Sequence, residues 1–132
     1  MTRELLLDTH IWLWSLLEPD RLTDPVRTAL SEAKNRTWLS PISTWEFLLL
    51  VLKGRIAINV TPEQWLERAW RAAPMWQAPV THEIAIASRR IKLPHKDPAD
   101  RFLAATAAVL DLTFVTADRR LWEAPGVEIF AN

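Results

Sequence analysis

A parallel α/β fold is what the sequence predicts, and three observations predict it. Short apolar runs alternate with helical stretches from one end of the chain to the other. Capping and turn residues stand at the junctions, and only 2 glycines and no internal repeat interrupt the pattern. At 132 residues the chain is long enough to bury its own core, and we read residues 1–132 as a single domain. Alternation of this kind gives a mostly parallel sheet with helices on both faces.

The elements follow in order. Glu4–Leu7 is an apolar run that stops at Asp8 and reads as a buried strand. Ile11–Leu17 continues as a helix, with Asp8 or Thr9 available as its cap. Thr23 caps a second helix to about Lys34, with Pro25 tolerated in its first turn. Thr37–Ser40 is a second strand, and Pro41 opens an apolar helix through Leu52 that Gly54 closes. Thr61-Pro62-Glu63 starts an amphipathic helix over Gln64–Ala73. Trp76–Val80 reads as a third strand, Thr81–Ile91 as a helix, and Lys92–Lys96 as a basic loop. Asp97-Pro98 opens an alanine-rich helix, Ala99–Leu110, and Thr113–Thr116 is a fourth strand. A short helical turn from Asp118 and an edge strand, Val127–Phe130, complete the pattern.

Composition narrows the chemistry. Without cysteine there are no disulfides and no thiolate metal sites, which leaves oxygen ligands and a few histidines. Lys+Arg and Asp+Glu are both 16, so the chain lacks the basic excess of a general nucleic-acid coat. Leu5-Leu6-Leu7 is too short for a signal or membrane segment before Asp8 interrupts it, and a cytoplasmic, membrane-free protein is expected. The 8 tryptophans are scattered over the elements and read mainly as core or interface anchors rather than a stacking platform.

In parallel α/β folds ligands gather beyond the carboxyl ends of the strands. Asp8 and Asp118 both follow predicted strands, with Ser40 and Thr81 at other strand ends. Taken singly, Asp8 and Asp118 pass as helix caps, and Asp97 with Asp100 passes as a cap and a first-turn carboxylate. Glu46 resists such an account. It lies inside Trp45-Glu46-Phe47-Leu48-Leu49-Leu50-Val51-Leu52, where a buried carboxylate needs a cation, a proton or a salt-bridge partner. The nearest base along the helix is Lys53, roughly two turns away at about 1.5 Å per residue. A group of aspartates and a glutamate suits hard cations such as Mg²⁺ or Mn²⁺. One or two such ions can activate a water, align it with a phosphorus and neutralise the leaving oxygen.

These pieces together resemble the PIN-domain ribonucleases, and specifically the VapC-type toxins of bacterial toxin–antitoxin pairs. The resemblance rests on Leu5-Leu6-Leu7-Asp8-Thr9-His10, Glu46, Asp100-Arg101-Phe102-Leu103-Ala104-Ala105 and Val115-Thr116-Ala117-Asp118, which span almost the whole chain in the family's order. It implies a three-layer α/β/α sandwich and Mg²⁺- or Mn²⁺-dependent cleavage of RNA that leaves a 5′-phosphate and a 3′-hydroxyl. The family's metal-binding catalytic acids map onto Asp8, Glu46, Asp100 and Asp118, and its hydroxyl beside the last acid onto Thr116. It also implies a homodimer and a small antitoxin with a DNA-binding domain and an arm that enters the site. The family spacing selects Asp100, through Ala104-Ala105, over Asp97, which is then the helix cap.

Supporting roles fall to basic residues near the acids. Arg101 and Lys96 are candidates to position phosphate, against a plain reading as solvated surface. His10 reads as structural, and His95, Arg89, Arg90, Lys92, Arg119 and Arg120 as mainly solvated charge. Two other functions fit the residues less well. A phosphatase with Asp8 as nucleophile would want a second aspartate at the position of His10, and a non-catalytic PIN-like module would lack acids that are all present.

Overall fold

The computed structural model describes residues 2–94 and 96–132. Its elements in chain order are β1 (Glu4–Leu7), α1 (Thr9–Leu17), a 3₁₀ turn (Pro19–Arg21), α2 (Asp24–Ser31), β2 (Arg36–Leu39), α3 (Pro41–Leu52) and α4 (Pro62–Ala72). Then follow β3 (Trp76–Gln77), α5 (His82–Arg90), α6 (Pro98–Leu110), β4 (Thr113–Thr116), a second 3₁₀ turn (Arg119–Leu121) and β5 (Ile129–Ala131). The strands form one sheet in the order β3-β2-β1-β4-β5, and every pairing is parallel.

The central strand explains the layers. Side chains alternate across a strand, so Leu5 and Leu7 face one side of the sheet and Leu6 the other. On the first side they pack with Ile11, Trp12, Val26, Phe47 and Leu66 from α1 to α4. On the second, Leu6 and Phe114 pack with Leu103 and Ala107 of α6, against which α5 lies. Each such leucine contributes about 1.5–3 kcal/mol relative to exposure, and a strand loaded on both faces belongs at the centre of a parallel sheet.

Most junctions form as the sequence predicts. Thr23, Ser40, Thr81 and Asp97 cap α2, α3, α5 and α6, and Thr61 with Gln64 forms a reciprocal capping box on α4. Gly54 closes α3 at φ +71°. Several boundaries differ: α1 starts at Thr9 rather than Ile11, and β2 and β5 run Arg36–Leu39 and Ile129–Ala131 where Thr37–Ser40 and Val127–Phe130 are expected. The helix expected to reach Lys34 ends at Ser31, because Asn35 turns the chain: its amide donates to Ala29 O and its carbonyl accepts the Arg3 N–H. β3 is shorter than expected, since the last ladder bond is Ala78 N–H to Leu39 O and Pro79 has no donor to continue it. The turn at Pro19–Arg21 was not foreseen.

The helix carrying Glu46 is also less enclosed than its composition suggests. Only Ser43 and Phe47 of α3 are buried, while Trp45 and Leu52 are 51% and 81% exposed. Of the tryptophans Trp12 alone is fully buried; Trp45, Trp70 and Trp76 are exposed. Among the described residues no helix is long and apolar enough to cross a membrane.

Candidate active site

The chain builds β1, β2 and β3 outward in one direction, then returns to place β4 on the other side of β1. The gap beyond the carboxyl ends of β1 and β4 is therefore the switch point at which parallel sheets open a crevice. Asp8 ends β1 there, and Thr116 ends β4 beside it.

Asp8 is held at every polar atom. Its N–H donates to Val115 O at 2.9 Å, continuing the ladder one residue past β1. Its Oδ1 accepts the Thr9 N–H at 2.8 Å, and its Oδ2 accepts the Thr116 hydroxyl at 2.7 Å. Burial pushes this carboxyl above the usual carboxylate range. The bonds from Thr116 and Thr9 and the nearby His10 oppose the rise, and the charge of Asp118 adds to it.

The hydroxyl of Thr116 faces two ways. Besides donating to Asp8 it accepts the Asp118 N–H at 3.0 Å. Asp118 then caps the second 3₁₀ turn through the Arg120 N–H, and the Arg120 guanidinium closes on both carboxylate oxygens at 3.0 and 2.8 Å.

Glu46 arrives from the opposite wall, on the second turn of α3. The Thr9 hydroxyl donates to its Oε1 and also shares a 2.9 Å hydrogen bond with Ser43 Oγ. Burial is the main cause that pushes the Glu46 carboxyl up to about 7; the Thr9 bond opposes this, and the charges of Asp8, Asp100 and Asp97 reinforce it. Glu46 is thus held by a hydroxyl, not by Lys53, and it senses the other acids of the group.

On α6, Asp97 and Asp100 separate into different environments. Asp97 is exposed and its side chain accepts the Ala99 N–H at 3.0 Å as the cap, whereas Asp100 is buried one turn further on. Among the described residues no group of three or more Asp, Glu or His side chains is placed to hold a metal ion.

Arg101 lies against the end of α5. Its Nε, Nη1 and Nη2 donate to the carbonyls of Ser88, Leu93 and Ile91 at 2.9, 3.0 and 2.6 Å, so it clamps that end. Lys96 is exposed on the loop before α6, and His95 lies outside the described residues. His10 is exposed with its ring 5.8 Å from that of Trp14. Sequence reasoning overlooked the side chain of Thr9, the presence of Ser43 and the pairing of Arg120. The available signals were spacing: Ser43 precedes Glu46 by three residues on one helix face, and Arg120 follows Asp118 by two.

The profile of the family described as PIN domain matches residues 5–127. The chain belongs to the PIN-domain family. This PIN domain is 32% identical over 120 residues to Ribonuclease VapC22 of Mycobacterium tuberculosis, an alignment covering 89% of this chain and 88% of that protein. It is similar in fold to the structure of VapBC2 from Rickettsia felis bound to a DNA fragment from their promoter, with a TM-score of 0.72, 14% identity and coverage of 97% and 98% of the two chains. DNA-bound VapBC from Salmonella typhimurium gives a TM-score of 0.68 at 18% identity, with 98% of each chain covered. The three-layer parallel α/β fold expected from the sequence is the fold of this PIN domain.

Proposed function

We propose that this PIN domain is a metal-dependent endoribonuclease, the toxin of a toxin–antitoxin pair, whose catalytic and metal-binding residues are Asp8, Glu46, Asp100 and Asp118. The observation that carries the reading is the hydrogen-bonded run from Asp118 through Thr116, Asp8 and Thr9 to Glu46, which gathers acids distant in sequence at one crevice. It is supported by the relative named a ribonuclease and by structures of similar fold described as a VapBC toxin–antitoxin system from Mycobacterium tuberculosis and a toxin–antitoxin complex from Klebsiella pneumoniae.

The donor chemistry of these residues suits a hard divalent ion. The donors are all oxygen, and a cation beside Asp8 and Glu46 would favour the charged form of two carboxyls that burial first, and neighbouring acids second, push upward. Mg²⁺ or Mn²⁺ held there would supply charge against the scissile phosphate and the leaving oxygen and raise the acidity of a water. The chain's own residues do the arranging. Thr116 fixes Asp8 against β4, and Asp8 in turn anchors the first turn of α1. Glu46 would hold an ion as a carboxylate, so binding there would compete with the proton that burial favours. Water attack at phosphorus with rupture of the P–O3′ bond gives the 5′-phosphate and 3′-hydroxyl products.

The phosphatase reading is weaker. Both oxygens of Asp8 are engaged, which suits an anchored ligand better than a nucleophile. The partners proposed are an RNA substrate, an antitoxin encoded alongside, and a second copy of the chain in a homodimer. The setting proposed is the cytoplasm. Purified protein free of antitoxin should cut RNA with Mg²⁺ or Mn²⁺ and stop on addition of EDTA, and Asp8→Asn should be inert. Activity that survives EDTA or that substitution would rule out the mechanism.

A further inference from the structure

We infer that Thr9 is a positioning residue for Glu46: its buried hydroxyl ties one oxygen of that carboxylate to the turn that carries Asp8, and so sets the spacing at which the two acids meet a divalent cation. The inference rests on the metal-site reading above.

Thr9 is 1% exposed and Ser43 is fully buried, so neither hydroxyl is a surface accident. A threonine on a helix commonly returns its hydroxyl to a carbonyl three or four residues back. Thr9 instead reaches across to α3, to Glu46 Oε1 and to Ser43 Oγ at 2.9 Å. One hydroxyl proton serves one acceptor, so Thr9 donates to the carboxylate and the Ser43 hydroxyl donates to Thr9. Ser43 and Glu46 stand three apart on one face of α3, which lets a single side chain of α1 meet both.

The backbone of the same residue completes the bridge. The Thr9 N–H donates to Asp8 Oδ1 at 2.8 Å while its side chain holds Glu46. Thr9 therefore touches two of the four acids, one through the main chain and one through the side chain. Thr116 stands in the same relation to Asp8 and Asp118, with its hydroxyl on one and the N–H of the other on its oxygen. The charges of Asp8, Asp97 and Asp100 all act against the Glu46 carboxylate, and the Thr9 bond is the contact that favours it.

The test separates the hydroxyl from the methyl. Thr9→Val keeps the shape and removes the donor, Thr9→Ser keeps the donor, and Ser43→Ala removes the group behind it. Mn²⁺ affinity of the purified chain is measured without RNA by calorimetry or electron paramagnetic resonance, alongside melting temperature and kcat and KM for RNA cleavage. Thr9→Val should weaken Mn²⁺ binding by roughly 10-fold and lower kcat at limiting Mn²⁺, leave KM for RNA unchanged, and be restored by Thr9→Ser to within about 2-fold of wild type. If Thr9→Val melts far below wild type, Ser43→Ala decides: a several-fold loss of Mn²⁺ affinity supports the bridge and an unchanged affinity overturns it. Wild-type affinity in a folded Thr9→Val, or a Thr9→Ser as weak as Thr9→Val, would overturn the inference alone. A wild-type protein that binds no Mn²⁺ would overturn the metal reading and the inference with it.

Discussion

Asp97 and Asp100 lie three residues apart, and from the sequence either is a candidate for the acid of the site, with the family spacing favouring Asp100. The helix places them differently: as the cap, Asp97 accepts the Ala99 N–H and is exposed, while Asp100 in the first turn is buried. Asp100→Asn should lower RNA cleavage by roughly 100-fold or more, as loss of a group at the ion. Asp97→Ala should cost about 1 kcal/mol of stability, the usual value for a cap, and keep most activity. Cleavage assays with thermal melts of both variants check this pair, and the opposite ranking would exchange their roles. Glu46 carries a second prediction. Its folded-state carboxyl, at about 7, lies above its ordinary value of 4.5, so between those pH values the folded protein holds a proton the unfolded chain has lost. The metal-free protein should therefore lose stability as pH rises through that window, and the raised carboxyl of Asp8 acts with the same sign. For Glu46 the loss amounts to about 1–2 kcal/mol once the solvent reaching a half-buried group is allowed for. Denaturant titrations across the window should show the slope in wild type and a flatter profile in Glu46→Gln.

At the scale of elements, local signals carried far and then stopped at recognisable places. Among the described residues, apolar runs, caps and prolines placed the six α-helices and the five strands, because each such signal acts within a few residues. Where a distant residue decided a boundary the sequence did not show it: Asn35 ends α2 by bonding to Arg3, and Pro79 halts β3 only because Ala78 is paired with Leu39. The sequence of α3 is apolar on nearly every side and predicts a buried Glu46. Its exposed Trp45 and Leu52 show that a one-chain reading cannot separate a buried helix from one with an apolar outer face. Arg101 is a similar case. Its place next to Asp100 suggested a phosphate ligand, while its fork meets three carbonyls at the end of α5. Arg101→Ala should lower the unfolding free energy by about 2–3 kcal/mol through those charge-assisted bonds. Urea unfolding measures it, and a change near zero would show that the clamp is dispensable.

For the whole molecule, alternation of strand and helix made the parallel sheet legible, but not the order β3-β2-β1-β4-β5. Order depends on contacts between residues far apart, such as Leu6 with Phe114, and nothing local encodes them. That order is what brings Asp8 and Asp118 to adjacent strand ends, and it converts residues that each pass as caps into one acidic crevice. The acids were legible from the pattern they share with the family; the hydroxyls of Thr9 and Ser43 that link them were not, since each is an ordinary helix residue until its neighbour is known. A net charge of zero hides the same feature, because charge counted over the chain says nothing of where it collects. The central claim is that Asp8, Glu46, Asp100 and Asp118 form one metal site. Anomalous diffraction from crystals grown with Mn²⁺ tests it most directly. The account predicts a manganese peak about 2 Å from carboxylate oxygens of this group, at the ends of β1 and β4. A well-occupied peak elsewhere, or none at the crevice at saturating Mn²⁺, would contradict it.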